Sequence, residues 1–378
     1  MTESMLRGAE PTTIRDALEH DDPLPGTFGF GGELDDHLVR DVLGRVPLFV
    51  DERVDTNAPH PTWAFEPTAL EKPRLFPPGA VAPVDEPSTG QQLRWTIPDP
   101  EPESDQDVAL EALEDAILTA VEAIRRDDRS VAVAFSGGVD SALIAELLDA
   151  PLYVVGFPDS HDVAAARTAA NAMDRDLTVV DLEPADLERA VPEVARAIGR
   201  TNAMDLQIAL PLYLVGERVA GDGFDALAVG QGADELFGGY EKVVRLDHRV
   251  DAETVRGAVR EQIRSLPDQL PRDVLAVEAT GLEPVAPLLH DAVVETALCL
   301  PDSLLADDDE RKRGLRRIAA RHLPDDVARR DKKAAQYGSL VARELDRLAR
   351  QAGYKRRIDD HVTKYVESLL EDSTRRSP

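Results

Sequence analysis

Hydrophobic and polar positions follow two different rhythms along the chain, and the change comes near residue 106. Up to about residue 97, short apolar runs are separated by proline, glycine and asparagine, a pattern that predicts short strands. The predicted strands cover residues 27–30, 47–50, 62–65 and 93–97. A stretch rich in proline and acidic residues, 98–106, then predicts an extended linker.

After the linker, helical and strand patterns alternate. One helix is predicted from a stripe of apolar side chains at helical spacing: Leu110, Leu113, Ile117, Val121 and Ile124. Ser104 is its predicted N-cap, with Asp107 three residues on. Predicted strands follow at 131–135, 152–156, 177–180 and 226–229, and predicted helices at about 162–172, 184–198 and 206–219. This alternation predicts an α/β fold with a doubly wound parallel sheet, followed by a helical part from about residue 250.

The chain is strongly acidic, with 72 Asp and Glu against 43 Lys and Arg and a net charge of -29. Its hydrophobic content, 43%, is nevertheless too high for a disordered acidic chain. The acid-rich, lysine-poor composition resembles that of proteins from halophilic archaea, in which salt screens the self-repulsion. A surface this acidic argues against a nucleic-acid partner, because a nucleic-acid groove needs positive charge.

Lysine is rare, so each lysine in a loop is a candidate for function. The lysines are at positions 72, 242, 312, 332, 333, 355 and 364. The one cysteine, Cys299, lies in an apolar helical context that predicts a buried thiol, and a single cysteine excludes a disulfide framework. No apolar run approaches the ~18–20 residues of a membrane span, and the first residues carry no signal-peptide pattern. We therefore expect a cytoplasmic protein without a membrane partner.

Two glycine-rich loops follow predicted strands. The first loop, Ser136-Gly137-Gly138-Val139-Asp140-Ser141, joins a strand to a helix start and offers backbone N–H groups, hydroxyls and one carboxylate. An anion there meets unpaired donors and the positive end of the helix dipole, and the glycines let the backbone approach it closely. The second loop, residues 230–240, follows the strand at 226–229. Since ligands of such sheets bind at the carboxyl ends of strands, both loops can reach one crevice.

The second loop is expected to place a second carboxylate, Asp234, opposite Asp140. Two carboxylates that face a triphosphate suit Mg²⁺, which takes oxygen ligands and shares them with phosphate. Magnesium on the β- and γ-phosphates makes pyrophosphate a good leaving group, which favours attack at the α-phosphate over γ-phosphoryl transfer. The first loop also lacks the Gly-Lys-Ser/Thr ending of a Walker A motif.

Together the two loops resemble those of a known enzyme family. Ser-Gly-Gly-Val-Asp-Ser resembles the pyrophosphate-loop signature of the N-type ATP pyrophosphatases. Gly-Ala-Asp-Glu-Leu-Phe-Gly-Gly-Tyr at 232–240 resembles the synthetase domain of asparagine synthetase and its relatives, including β-lactam synthetase. The resemblance implies the adenine-nucleotide α-hydrolase (pyrophosphate-loop) version of the α/β fold. The alternative, two purely structural glycine turns, stays open.

Two further segments continue the resemblance. Pro-Val-Ala-Pro-Leu-Leu-His-Asp at 284–291 is similar to the family's Arg-x-Pro-Phe-Leu-Asp segment, and residues 327–333 are similar to a segment that carries a lysine. In the family this lysine stabilises charge that develops at the α-phosphate and the acyl carbonyl. Lys332 aligns best with it, and Lys333 is the alternative.

The resemblance also implies a role for each residue of the two loops. The implied catalytic residues are Lys332, Asp140, Asp234 and Glu235, with Asp140 and Asp234 as Mg²⁺ ligands. The implied ATP-binding residues are Phe135, Ser136, Gly137, Gly138, Asp140, Ser141, Val155, Gly230, Gln231 and Gly232. Glu235 either orients the metal or caps a helix. His161, near the second strand end, is interpreted as a loop residue rather than a catalyst.

The amino-terminal part resembles a second family. Residues 40–49, Arg-Asp-Val-Leu-Gly-Arg-Val-Pro-Leu-Phe, resemble the Arg-Asp-x-x-Gly-x-x-Pro-Leu-Tyr stretch of class II glutaminase domains. That family uses an N-terminal Cys as nucleophile, whereas residue 2 here is Thr and the glutamine-binding segment is missing. We therefore expect a truncated, vestigial glutaminase-like module at 1–100, a synthetase domain at 101–345 and a charged helical tail at 346–378. Free ammonia or a separate glutaminase subunit would supply the nitrogen.

The leading hypothesis is an ATP-dependent carboxylate–amine ligase of the asparagine synthetase type. It would form an acyl-adenylate, β-aspartyl-AMP if the acid is aspartate, and transfer ammonia to give an amide, AMP and pyrophosphate. Gln231 stands where asparagine synthetases usually carry an acidic residue, so another acid substrate stays open. Two further hypotheses are a pyrophosphate-loop enzyme that adenylates tRNA and an inactive scaffold homologue. The sequence also leaves open whether the chain forms a homodimer.

Overall fold

The computed structural model describes residues 5–52, 62–245, 251–330, 339–355 and 360–376. The chain divides into two compact units, each discontinuous in sequence. Unit 1 comprises Met1–Asp127, Gly230–Val274 and Ala286–Arg321, and unit 2 comprises Asp128–Val229, Leu275–Val285 and His322–Pro378. The boundaries predicted at residues 100 and 345 divide the chain into consecutive segments, whereas each unit combines segments that are separate in sequence. The predicted domains stay a prediction.

In the described residues, the strands have two to five residues and the α-helices four to 24. The strands are β1 Leu6–Arg7, β2 Gly31–Leu34, β3 His37–Arg40, β4 Phe49–Asp51, β5 Trp63–Ala64, β6 Pro73–Leu75, β7 Ala80–Pro83, β8 Gln92–Leu93, β9 Val131–Ala134, β10 Leu152–Gly156, β11 Leu177–Asp181, β12 Ala226–Ala228 and β13 Glu283–Val285. The helices are α1 Pro11–His20, α2 Gln106–Arg125, α3 Val139–Leu148, α4 His161–Ala172, α5 Pro184–Ile198, α6 Ala203–Gly221, α7 Ala233–Phe237, α8 Glu241–Arg245, α9 Val255–Glu278, α10 Asp291–Leu298, α11 Asp302–Leu305, α12 Arg313–His322, α13 Asp325–Ala328, α14 Val341–Gln351 and α15 His361–Arg376. Short 3-10 helices cover Pro67–Ala69 and Pro287–Leu289.

Unit 2 is built on one parallel sheet of five strands in the order β11-β10-β9-β12-β13. Val133 of β9 is level with Leu152 of β10 on one side and with Ala228 of β12 on the other. The strand order reverses between β9 and β12, as in a doubly wound sheet, and ligands of such sheets bind outside the carboxyl ends of the strands at this point. The predicted α/β class with a parallel sheet is confirmed.

Burial explains why the apolar runs of unit 2 form strands. All five residues of β10 and all three of β12 are buried. Parallel strands that are covered on both faces carry continuous apolar runs rather than alternating ones. The helices predicted at about 162–172, 184–198 and 206–219 correspond to α4, α5 and α6, whose ends lie within three residues of those bounds.

Strand β13 contradicts the prediction of a purely helical part after residue 250. It has three residues, and its ladder to β12 sets Ala228 level with Val285. Pro284 at its centre lacks an N–H, which an edge strand tolerates because one side of its ladder is unpaired. So short a segment carries no periodicity, so only backbone pairing defines it.

Unit 1 contains two antiparallel sheets, one in the order β1-β2-β3-β7-β8 and the other in the order β5-β4-β6. Their strands share a cluster of buried apolar side chains: Leu38, Leu48, Val50, Phe65 and Phe76. Helix α2 belongs to the same unit and packs against α10. All five residues of its predicted apolar stripe are buried, as the helical spacing requires.

Two local predictions at the start of unit 1 are wrong. No strand covers residues 27–30, because Gly29 has a φ of +104° and the backbone of Thr27 bonds to Asp291 instead of a neighbouring strand. Helix α1, Pro11–His20, was not predicted. It begins with a proline, whose fixed φ suits a first helical position, and it buries Ile14 and Ala17.

The start of α2 also differs from the prediction. Asp105, rather than Ser104, is the N-cap residue, and its carboxylate accepts hydrogen bonds from the N–H groups of Asp107 and Val108. The hydroxyl of Ser104 donates to the side chain of Glu103. The strand expected at 93–97 is confined to β8, Gln92–Leu93.

Two further predictions concern the cysteine and membrane spans. Cys299 is half-buried rather than buried, and burial raises the pKa of its thiol. In the part of the chain that the structure describes, no helix has both the length and the apolar character needed to cross a bilayer.

Candidate active site

The first loop lies in unit 2, between the end of β9 and the start of α3. Gly137 has a φ of +72°, and a Cβ on it would lie 2.6 Å from the backbone of Ala165 in α4. Glycine is therefore required for both conformation and space. The N-cap residue of α3 is Gly138, which brings no side chain to cap the helix. The first N–H groups of α3 thus face a position where an anion can take them.

Hydroxyl groups brace this loop. The N–H of Ser136 donates to Oγ of Ser141 over 3.2 Å, and that hydroxyl donates to the carbonyl of Gly138 over 3.2 Å. Oγ of Ser136 lies 3.2 Å from the same hydroxyl. Buried Ser141 therefore ties both ends of the loop together, and Asp140 precedes it in the first turn of α3.

Phe135 and Val155 lie at the carboxyl ends of two adjacent strands, β9 and β10. Both are buried, and the N–H of Phe135 donates to the carbonyl of Tyr153 over 2.6 Å. The structure thus brings Phe135, Val155 and residues 136–141 to one edge of the sheet of unit 2. Their contact with a nucleotide stays a prediction. His161 is exposed and begins helix α4, which Ser160 caps.

Lys332 and Lys333 lie outside the described residues, but the flanks of their segment are described. Nη1 of Arg330 donates to the carbonyl of Ala165 over 3.0 Å, and Gly137 lies against the same residue. On the other flank, the carbonyl of Ser339 accepts from the N–H of Phe157, just beyond β10, over 3.4 Å. Both flanks are therefore bonded close to the first loop, within unit 2.

The second loop lies in unit 1 and begins with Gly230, two residues after β12 ends. Gly232, with a φ of +88°, turns the chain into α7, and Gly238, with a φ of +74°, ends that helix after five residues. A Cβ on Gly232 would lie 2.4 Å from the side chain of Leu289. This short helix carries both predicted carboxylates of the loop, Asp234 and Glu235, in its first turn.

Asp234 pairs with a lysine that the sequence analysis did not single out. Nζ of Lys312 lies 2.7 Å from Oδ1 of Asp234, and Lys312 is only 7% exposed. A Cβ on Gly239 would lie 1.9 Å from that carboxylate oxygen and 2.5 Å from Cε of Lys312, so the glycine leaves room for the pair. The rarity of lysine was the available signal, but the resemblance directed attention to Lys332.

Glu235 is buried, and its carboxylate accepts a hydrogen bond from the hydroxyl of Tyr240. Burial raises the pKa of Glu235, against the opposing effect of this hydrogen bond, and the charge of Asp234 raises it further. The pKa of Tyr240 is also raised, first by burial and then by the charge of Glu235. The N-cap of α7 is Gly232, so the cap role considered for Glu235 is wrong.

Gln231 is held by helix α9. Its side-chain amide donates to the carboxylate of Asp273, which also accepts from Nε and Nη2 of Arg272 over 2.6 and 3.0 Å. Arg272 and Asp273 are both buried. Because an ionised carboxylate only accepts hydrogen bonds, it fixes Nε2 of Gln231 towards itself. The neutral residue at position 231 is therefore in direct contact with an acidic side chain from another element.

The residues that resemble a glutaminase stretch also reach the second loop within unit 1. Buried Arg45 pairs with Oδ1 of Asp41 at 2.9 Å and with Oδ1 of Asp291 at 2.6 Å, and it donates to the carbonyl of Leu289 over 2.7 Å. Oδ2 of Asp291 accepts from the N–H and the hydroxyl of Thr27. Leu289 in turn lies against Gly232. The neighbouring His290 caps α10 with Nδ1, and burial lowers its pKa.

Each of the two loops carries oxygen donors of a kind that suits magnesium. Asp140 and Asp234 offer carboxylates, and Ser136 and Ser141 offer hydroxyls. Among the described residues, no three His, Cys, Asp or Glu side chains cluster so that they could hold a metal by themselves. Mg²⁺ does not need such a cage, since it commonly takes one or two carboxylates and completes its shell with water and phosphate. Each loop by itself therefore offers donors of the kind that Mg²⁺ takes when it shares a phosphate ligand.

Sequence comparison finds an enzyme family and curated relatives. Residues 112–278 and 247–376 match the family described as Asparagine synthase. A protein of Methanocaldococcus jannaschii, provisionally named asparagine synthetase (glutamine-hydrolyzing) 1, is 31% identical over 299 residues, 69% of this chain and 54% of that protein. Asparagine synthetase B (glutamine-hydrolyzing) of Escherichia coli is 24% identical over 345 residues, 82% of this chain and 61% of that protein. The chain thus spans little more than half the length of these relatives.

Structural alignment with a solved tRNA thiolase is weak. The U34-tRNA thiolase NcsA from Methanococcus maripaludis, with its 4Fe-4S cluster, aligns over 70% of this chain and 80% of that chain, with a TM-score of 0.29 and 11% identity. The family match alone covers residues 112 to 376, well over half of the sequence. The chain therefore belongs to the asparagine synthase family.

Proposed function

We propose that the chain is an ATP-dependent ligase that joins a carboxylic acid to ammonia or another amine, with AMP and pyrophosphate as products. The observation that carries this proposal is the first loop, an uncapped helix N-terminus at the switch point of a parallel sheet, in a member of the asparagine synthase family. Backbone N–H groups at such a position bind phosphate oxygens and favour their negative charge.

The first loop would bind the triphosphate. The residues proposed to contact ATP are Phe135, Ser136, Gly137, Gly138, Asp140, Ser141, Val155, Gly230, Gln231 and Gly232. The close approach of Gly137 to Ala165 and the hydroxyl of Ser141 support this assignment, because they hold the loop in one conformation before any ligand arrives. A loop that is ordered in advance loses less entropy on binding.

Asp140 and Asp234 would each be a ligand of Mg²⁺. Glu235 would orient the metal or the water molecules bound to it. When bound, the metal charge makes pyrophosphate a better leaving group. A carboxylate oxygen of the substrate attacks the α-phosphorus, and the bond from that phosphorus to pyrophosphate breaks. The amine then attacks the acyl carbon of the mixed anhydride and loses a proton, and AMP leaves with the electron pair of the broken C–O bond.

Lys332 would stabilise the charge that develops at the α-phosphate and the acyl carbonyl, with Lys333 as the alternative. The two described flanks of its segment support this proposal. Arg330 is hydrogen-bonded to Ala165, and Ser339 is hydrogen-bonded to Phe157. A cation held in a site that excludes water is an efficient stabiliser of such charge.

Aspartate is the first acid that we propose, which would make the product asparagine. The pairing of Gln231 with Asp273 favours a second candidate, a related ligase for a different acid. We also propose that residues 1–100 provide no glutaminase activity and that the nitrogen comes from free ammonia or from a separate glutaminase. No chemical step in this scheme needs RNA.

The test is an assay of AMP and pyrophosphate with ATP, magnesium, ammonium and a panel of amino acids. It should be run in high salt, because a net charge of -29 needs screening. We expect AMP to form with one acid and an amide of that acid to appear by mass spectrometry. Glutamine in place of ammonium should give no product.

Three outcomes would change the proposal in different ways. AMP formation that requires RNA would replace it with tRNA adenylation. The absence of both AMP formation and ATP binding would indicate an inactive scaffold. Product with glutamine alone would contradict only the assignment of the nitrogen source.

A further inference from the structure

We propose that Lys312 is a positioning residue of the second loop. Its ammonium group holds Asp234 by Oδ1 and leaves Oδ2 as the oxygen that a divalent cation can take. This inference rests on the proposed function, in which Asp234 is a magnesium ligand. It adds to that function a residue from outside both glycine loops and outside the segment that carries Lys332.

The environment of Lys312 is the first argument. A buried ammonium group is costly unless it is paired with a negative charge. Lys312 is 7% exposed, and its Nζ lies 2.7 Å from Oδ1 of Asp234, within the range of a charge-assisted hydrogen bond. Asp234 itself stays 44% exposed at its side chain. The pair therefore has a buried cationic end and an accessible carboxylate end.

The backbone at Lys312 is the second argument. Its φ is +57°, which is uncommon for a residue with a side chain and persists only where the surroundings enforce it. The carbonyl of Lys312 accepts from the N–H of Arg316 at the start of α12, over 2.9 Å. The preceding residue, Arg311, donates from Nη1 to the carbonyl of Gly239 over 3.1 Å. Hydrogen bonds thus hold both the carbonyl of Lys312 and the side chain of the residue before it.

Gly239 is the third argument, because it joins the two partners sterically. Its N–H donates to the carbonyl of Asp234 over 2.8 Å, and a Cβ on it would overlap both Oδ1 of Asp234 and Cε of Lys312. Lys312, from the turn before α12, and Gly239, from the second loop, therefore both lie next to Oδ1 of Asp234. Such convergence is what a fixed orientation of Asp234 requires.

Orientation matters because a metal-binding carboxylate works best when its other contacts hold it still. Loss of such an outer partner typically weakens metal binding about 10- to 100-fold. Loss of the contact from Lys312 should therefore weaken the binding of magnesium-bound ATP through Asp234.

The experiment compares Lys312→Met with Lys242→Met. Lys242 is the matched control, because its Nζ lies 5.3 Å from the centre of the Tyr240 ring in the same region but is not part of the Asp234 pair. Binding of ATP with magnesium is measured by calorimetry in the full chain. We expect a dissociation constant about tenfold higher in Lys312→Met and unchanged in Lys242→Met.

A double-mutant cycle with Asp234→Asn tests whether Lys312 acts through Asp234. If it does, Lys312→Met should change the dissociation constant little in the Asp234→Asn background. Full, additive losses would mean that Lys312 contacts the ligand itself, and they would overturn the positioning role. Equal affinity of Lys312→Met and wild type would also overturn it. If wild type binds no ATP with magnesium, the proposed function fails and this inference fails with it.

Lys312→Arg covers the case in which Lys312→Met does not fold. Arginine keeps the charge but has a planar group of different shape, so the protein should fold and bind ATP with magnesium more weakly than wild type. Wild-type affinity in this variant would mean that charge alone suffices, which would overturn a role based on orientation.

Discussion

The hydrogen bonds that brace the first glycine loop join residues close in sequence, whereas those that hold the second loop join it to residues far along the chain. The hydroxyl of Ser141 bonds to Ser136 and to Gly138, five and three residues away. In the second loop, Gln231 bonds to Asp273, 42 residues away, and Asp234 pairs with Lys312. The comparison shows that a contiguous motif can identify a loop while distant residues determine its electrostatics.

The largest expected effect tests whether both loops serve one reaction. We expect Asp140→Asn and Asp234→Asn each to reduce AMP formation about a hundredfold or more, because a misplaced metal ion costs several kcal/mol of transition-state stabilisation. Initial rates of AMP release measure this, with circular dichroism as the control for folding. A wild-type rate in either variant would remove that loop from the reaction.

The second prediction compares the glycines of the two loops. Gly137→Ala meets the backbone of Ala165 and should lower the free energy of unfolding by about 3 kcal/mol, from backbone strain and overpacking together. Gly232→Ala meets the side chain of Leu289 rather than backbone, and should cost about 1–2 kcal/mol. Urea unfolding measures both values.

Gly221→Ala is the control for this pair. Gly221 is the last residue of α6, and a Cβ there meets no atom within 4 Å. Alanine should therefore be neutral or should stabilise the protein by up to about 1 kcal/mol. A smaller loss at Gly137 than at Gly232 would contradict the prediction that overlap with backbone costs more than overlap with a side chain.

The third prediction concerns the contact that ties the second loop to α9. Gln231→Glu would bring a second carboxylate against Asp273 and should lower the free energy of unfolding by about 1–3 kcal/mol. Asp273→Asn in that background should recover part of the loss, since the amide can then donate to the new carboxylate. Independent effects of the two changes would show that the residues do not interact in solution.

The smallest expected effect is a pH dependence confined to the second loop. The pKa of Glu235 in the folded protein is raised above its ordinary 4.5, so the folded state holds this proton more tightly than the unfolded state. Its contribution to stability is full below pH 4.5 and is lost as the pH rises through the raised pKa. In that window, the free energy of unfolding of wild type should fall relative to that of Glu235→Gln by at most about 1.4 kcal/mol per pH unit.

Denaturant unfolding of wild type and Glu235→Gln at a series of pH values measures this difference. Ser141→Ala in the first loop is the control, because no ionisable group changes and its difference from wild type should not depend on pH. A flat difference for Glu235→Gln would mean that the carboxyl group keeps its ordinary pKa in the folded protein.

The sequence predicted most of unit 2 because its signals are local. Continuous apolar runs gave β9, β10 and β11, and the motif at 136–141 gave the strand, loop and helix start in one stretch. Strand β13 was not predicted, because three residues are too few to show a hydrophobic periodicity and the central one is a proline. The helix cap was displaced by one residue because Ser104 and Asp105 are both good caps, and only backbone geometry selects between them.

The candidate site was predictable only as far as its motifs reach. Asp234 and Glu235 were found from the loop itself, whereas Lys312 and Asp273 were not. Their partners are chosen by tertiary packing, and a lone lysine before a helix has no spacing that would reveal a pair with Asp234. The strand expected at 27–30 failed for the same reason, because the N–H of Thr27 bonds to Asp291 rather than to a neighbouring strand.

Arg45 has a consequence for the order in which the protein is made. It donates to the carbonyl of Leu289, 244 residues later in the chain, and pairs with Asp291. At about 5–20 residues per second, a ribosome needs roughly 12 to 50 seconds to add those residues. During that interval Asp41 has been made but Asp291 has not, so the guanidinium of Arg45 lacks one of its two carboxylate partners. The buried ion pair between Arg45 and Asp291 in unit 1 is therefore completed late in synthesis, when residues 128–229 of unit 2 have already been made.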